Sequence, residues 1–89
     1  MEKLEIAKSY YEKAIEIKPD YTEAYNNLGI IFNQLEENEK AILYCKKAID
    51  INSSFFNAHY NLGLIFQKID ENEKAINCKN FGKDKVYKL

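Results

Sequence analysis

At 89 residues the chain has room for one small domain and none for a cofactor-binding domain beside a separate substrate domain. Its 46% hydrophobic and 30% charged residues make it too apolar for intrinsic disorder and too interrupted by charge for a membrane span, so it is expected to fold in water. Thirteen basic side chains, all lysines, stand against fourteen acidic ones; the net charge of −1 argues against a nucleic-acid partner and against an anionic membrane.

The first residues, Met1 to Lys8, meet charge too early to contain the apolar core of a secretory signal, so a cytoplasmic or other reducing intracellular setting is expected. Leu4 to Ile17 reads as the first helix, because Pro19 lacks an amide hydrogen and disfavours helix at Lys18. Asp20 and Glu23 read as a capping box for a second helix, Tyr21 to Leu35, with the apolar stripe Tyr25, Leu28, Phe32 and Leu35. A third helix, Glu37 to Ile51, carries Ala41, Ile42, Cys45, Ala48 and Ile49 at helical spacing. Ser53 or Ser54 is the expected cap for a fourth, Phe55 to Ile69, and a fifth runs from Glu71 to about Asn80. No strand is needed, and the short connections favour antiparallel packing of successive helices within one domain.

An internal repeat organises these helices. A shift of 34 residues aligns Ala24 with Ala58, Asn27 with Asn61, Leu28-Gly29 with Leu62-Gly63, and Ile31-Phe32 with Ile65-Phe66. Glu37 to Ile42 recurs unchanged as Glu71 to Ile76, and Ala7 precedes Ala41 by the same interval. Such a period signals a solenoid of helix pairs. The small residues have a steric role: Gly29 and Ala41 let two helix backbones approach, and Ala48 lets the next pair dock.

The period resembles the tetratricopeptide repeat (TPR) family, through Tyr25, Leu28, Gly29, Phe32, Ala41 and Ala48 in the full repeat. Ala7, Tyr11, Ala14 and Pro19 carry the resemblance in the partial repeat before it, and Leu62, Gly63, Phe66 and Ala75 in the one after. Asn27 and Asn61, an asparagine repeated at the 34-residue interval, are also similar to asparagines in the repeat arm of O-linked N-acetylglucosamine transferases. The resemblance implies an all-α, right-handed α-α superhelix of about two and a half repeats. Residues 1–21 form a partial repeat, 22–55 a full one, and 56–89 a divergent last one, all in a single domain. Ser53 in place of proline, Lys79 in place of a bulky residue, and the loss of pattern after Gly82 are departures. Met1 falls about halfway through a repeat, which leaves the first helix without its own partner.

The family places ligands in a groove lined by one face of each repeat's first helix. On a helical wheel of about 100° per residue, Glu23, Asn27, Ile30 and Gln34 share a face opposite the Tyr25 stripe, and Asn57, Asn61, Leu64 and Lys68 are their counterparts. The resemblance therefore implies a non-catalytic protein-interaction module that holds a partner's peptide or helix at these eight positions. Asparagine amides would bond the peptide backbone, and Ile30 and Leu64 would supply apolar contact. Two alternatives stand beside it: a self-assembling fragment whose exposed ends stack on another copy, and a targeting arm of a larger enzyme such as a glycosyltransferase. A terminal-carboxylate clamp is disfavoured, because Asn26 and Ile30 occupy positions where that subtype needs other residues.

The remaining chemistry-bearing residues have structural readings. Cys45 and Cys78 form no Cys-x-x-Cys pair and are read as free thiols, and no metal or cofactor is expected. His59, the one histidine, stands on the core stripe and is read as a packed aromatic. The glycines make no phosphate-binding array, and Asp70-x-Asn72 lacks the glycine and glutamate of a calcium loop. The aromatic residues are mostly at core spacing, and the lysines are spread too evenly to form a base-stacking platform.

Overall fold

A computed structural model describes residues 2–84, and the side chains of residues 2–73. Four α-helices follow one another: α1, Glu2–Ile17; α2, Thr22–Gln34; α3, Asn38–Ile51; and α4, Phe56–Asp84. The described residues contain no strand. The α2 helix packs against α3, with α1 and α4 on its flanks and α4 also against α3.

Pro19 ends α1 as expected: the last bond of that helix runs from Lys18 N to Ala14 O at 2.8 Å, and Tyr21 N then closes a turn on Lys18 O at 3.1 Å. The predicted capping box is not formed. Tyr21 is the N-cap of α2, without a side-chain cap bond, and the phenol of Tyr25 instead donates to Pro19 O at 2.9 Å. One turn of helix brings that phenol back over the loop, so the loop is fixed from inside the helix.

The α2 helix ends in a reversed turn. Glu36 takes φ 64°, Glu36 N bonds Asn33 O at 3.1 Å, and Glu37 N bonds Phe32 O at 2.9 Å. This pair of bonds is the Schellman pattern, here with glutamate where glycine costs least. The turn lets α3 double back along α2. Asn52 then ends α3, and its Oδ1 accepts from Ser54 N at 3.1 Å. That turn, rather than a cap from Ser53 or Ser54, delivers the chain into α4.

Leu28, Phe32, Ala41, Cys45 and Ile65 form the main core, and Tyr25, Ala48 and Ala58 a second cluster beside it. Small residues sit where helices touch. A Cβ on Gly29 would lie 2.6 Å from Cys45 Sγ and 3.2 Å from Ala41 O, so the α2–α3 approach depends on glycine. Ala48 and Ala58, both fully buried, share the cluster between α3 and α4, which is the docking role expected of Ala48. Above them the rings of Phe32 and Tyr44 stack at 5.3 Å and those of Tyr44 and Tyr25 at 6.2 Å.

Two expectations are corrected. The predicted fourth and fifth helices are one, α4, which runs on through Ile69-Asp70-Glu71 without the reversal seen at Glu36. The second helix pair of a solenoid is therefore not built: Gly63, expected at a close contact, is exposed, and a Cβ there would meet nothing within 4 Å. What the structure establishes is an all-α arrangement of four packed helices. The departures read at Lys79 and Gly82 concern side chains outside the described ones.

Candidate functional site

The eight predicted groove positions lie on α2 and α4. Glu23, Gln34, Asn57 and Leu64 are exposed, and Asn27, Ile30, Asn61 and Lys68 are half-buried. Two of them tie the helices together. Asn61 Nδ2 donates to Oδ1 of Asn26, a buried residue, at 3.0 Å. Lys68 Nζ reaches Asn33 O and Oδ1, both at 3.4 Å, and Glu36 Oε2 at 3.1 Å. Both cross-links join α4 to α2 and the turn after it, so these two side chains are already engaged. Asn27, Gln34 and Asn57 make no side-chain hydrogen bond among the described residues.

His59 does not pack in the core. It is exposed, and its Nε2 lies 2.8 Å from Ser53 O, which as a carbonyl must accept. The ring thus braces the start of α4. Phe56, Tyr60 and Phe66 are also exposed, so several aromatic side chains stand outside the core that spacing assigned to them.

A different surface lies on α1. Lys3, Ile6, Tyr10, Lys13 and Ile17 are all exposed and fall within about 60° of Tyr10 on a helical wheel, as do Ala7 and Ala14. No carboxylate shares that arc. Tyr10 is 69% exposed, Ile6 63% and Ile17 80%. The Tyr10 ring stands edge-on to Tyr11 at 5.4 Å and 77°, and with Lys13, Ala14 and Ile17 it lines a shallow depression of about 340 Å³. Neither Lys3 nor Lys13 has an ion-pair partner among the described residues, whereas Lys8 pairs with Glu5 at 3.1 Å and Lys40 with Glu37 at 3.4 Å. Lys8 and Lys40 also lie over the Phe32 ring, at 5.7 and 5.4 Å. Its salt bridge to Glu5 raises the Lys8 pKa above the usual lysine value. The stripe was readable as a helical face, since its members recur at three- and four-residue steps.

The stripe offers cationic donors, one accessible aromatic face and aliphatic flanks, which can hold an anionic ligand carrying flat rings. The Est1 DNA/RNA binding domain family matches residues 7–86, and the chain belongs to that family. No curated protein matches it.

The match overturns the TPR resemblance and, with it, the likeness to the transferase arm. It also overturns the peptide-holding module, its self-assembling and enzyme-arm alternatives, and the partner set that excluded nucleic acid. The physical reason for the last error is averaging: a net charge of −1 sums over every face, while Lys3 and Lys13 share a face without acid. Among the described residues no helix is long and apolar enough to cross a membrane.

Proposed function

We propose that this chain binds single-stranded DNA or RNA along the outer face of α1, with Tyr10 stacking on a base and Lys3 and Lys13 meeting phosphates. The observation that carries the reading is family membership over residues 7–86. The chemistry of the face supports it. An exposed tyrosine accepts any base because every base has a π-face, and an unstacked base is accessible in a single strand rather than a duplex. Lys3 and Lys13 stand about 15 Å apart along the helix, close enough to serve one short stretch of backbone. Glu2, Glu5, Glu12 and Glu16 of α1 fall outside this arc, and acidic side chains farther away than a Debye length of about 10 Å are screened in ordinary salt.

The asparagine-bearing face of α2 and α4 is read as a secondary contact, since the amides of Asn27 and Asn57 both donate and accept. The function is binding without catalysis. The 34-residue period and the Gly29 contact support a further reading of α1 to α4 as the beginning of a right-handed α-α superhelix, and the buried free thiol of Cys45 supports a reducing intracellular setting.

Fluorescence anisotropy with a labelled single-stranded oligonucleotide tests the proposal. Two phosphate contacts give a slope of about −1.4 in log K against log salt, at about −0.7 for each contact on a single strand. A Lys3→Gln, Lys13→Gln double variant is expected to flatten the line. Equal slopes for both proteins reject the α1 face, and no binding to any single strand rejects the function.

A further inference from the structure

The two sides of Tyr10 along α1 are not equivalent. Side chains on a helix all lean toward its N-terminus, so the gap between two of them on one face follows the rise between their backbone sites. Ile6 stands one turn before Tyr10, about 6 Å along the axis. A base held between two side chains needs two stacking intervals of about 3.4 Å, roughly 6.8 Å, so the Ile6 side is closed to it. The other side is open. One turn after Tyr10 comes Ala14, whose methyl group leaves the face low, and the face rises again at Ile17, the last residue of α1. Tyr10, Lys13, Ala14 and Ile17 line the depression of about 340 Å³ found there.

The length of this depression selects what fills it. Tyr10 and Ile17 are seven residues apart. Their rise of about 10.5 Å matches the roughly 10.2 Å of three stacking intervals. That is the space of two bases stacked on each other, with the phenol ring against one and the Ile17 side chain against the other. Lys13 stands between them, about 4.5 Å past Tyr10 and about 6 Å before Ile17, beside the phosphate that joins the two nucleotides. Its ammonium has no ion-pair partner among the described residues.

We infer that the ligand unit of this face is a dinucleotide step of a single strand, its two stacked bases bracketed by Tyr10 and Ile17 over Ala14. The inference rests on the single-strand reading of the same face. It goes beyond that reading in fixing the number of bases, the side of the ring they occupy and the residue that admits them. Ala14 is that residue, since a longer side chain there fills the space and leaves both lysines in place.

Anisotropy on the full chain tests it, with a short single strand that is abasic except at one, two adjacent or three adjacent positions, beside the same strand with all its bases. Affinity is expected to rise about fivefold or more from one base to two, and to stay within about twofold from two to three. Ala14→Leu is expected to abolish the gain from the second base while keeping the slope of log K against log salt, with circular dichroism to show intact helices. Ile17→Ala, at an exposed position, is expected to reduce the same gain without a packing cost. A series that is flat from one base to two, or that climbs as much again at the third, overturns the inference and leaves single-strand binding standing. A parent-like gain in Ile17→Ala or in folded Ala14→Leu overturns it as well. Absence of binding even to the strand with all its bases removes the reading beneath it, and the inference with it.

Discussion

Replacing Tyr10 with alanine separates binding from folding more cleanly than any other change on the proposed interface. The side chain is 69% exposed, and its one ring contact among the described residues is the edge-on approach to Tyr11 at 5.4 Å. Its loss removes at most the aromatic-pair contribution of about 0.5–1.5 kcal/mol from stability, and no core volume. Stacking on a base is worth about 1–3 kcal/mol by alanine substitution, which converts to a roughly 5- to 150-fold loss of affinity. Tyr10→Phe keeps the ring and is expected to bind within about twofold of the parent, because the π-face rather than the hydroxyl meets the base. Tyr60→Ala, on α4, is the positional control and is expected to leave affinity unchanged. The assay is anisotropy at low salt, with circular dichroism to show that helix content is retained. Equal affinity for the parent and Tyr10→Ala, both folded, refutes the argument, and a loss seen with Tyr60→Ala instead places the interface elsewhere.

Three further outcomes follow from the packing. Gly29→Leu puts a branched side chain where a single Cβ already lies 2.6 Å from Cys45 Sγ, and should destabilise the fold by about 1–3 kcal/mol, read as a lower thermal midpoint. Asn61→Ala strips the donor from Asn26 Oδ1 on a side chain only 4% exposed; a loss of about 1–3 kcal/mol is expected in urea unfolding, against little change for exposed Asn57→Ala. Burial pushes the Cys45 thiol from 9.0 up to about 11, so the fold holds its neutral form. The unfolded chain releases this proton first, and the contribution is therefore whole below pH 9 and lost as pH rises toward 11. The stability difference between the parent and Cys45→Ala should shrink across that window, and a constant difference would contradict the burial argument.

The helices that were legible are those whose signals are local. The stripes Tyr25, Leu28, Phe32 and Ala41, Cys45, Ala48 give α2 and α3 directly, and the Gly29–Ala41 approach follows from side-chain size alone. The turn between them was legible only through the repeat. Leu35-Glu36-Glu37 and Ile69-Asp70-Glu71 have nearly the same local propensities, yet the first reverses and the second does not. A helix end without glycine or proline is decided by what the next segment can pack against, and that is tertiary information. The Asp20 cap failed for a related reason: Tyr25 reaches Pro19 O and fixes the loop, while Tyr21 takes the N-cap position.

The site was less legible because charge was counted along the chain instead of around each helix. Thirteen lysines against fourteen acids looks neutral, but the pairing is uneven: Lys8, Lys40 and Lys68 each form an ion pair with a glutamate, while Lys3 and Lys13 form none among the described residues. A phosphate chain meets one face at a time, and within a Debye length it senses that face before it senses the total. The same reasoning limits the interface. With two unpaired lysines on the α1 stripe, the electrostatic share of binding is small, stacking must carry a comparable part, and affinity should fall less steeply with salt than for a domain that neutralises six or more phosphates.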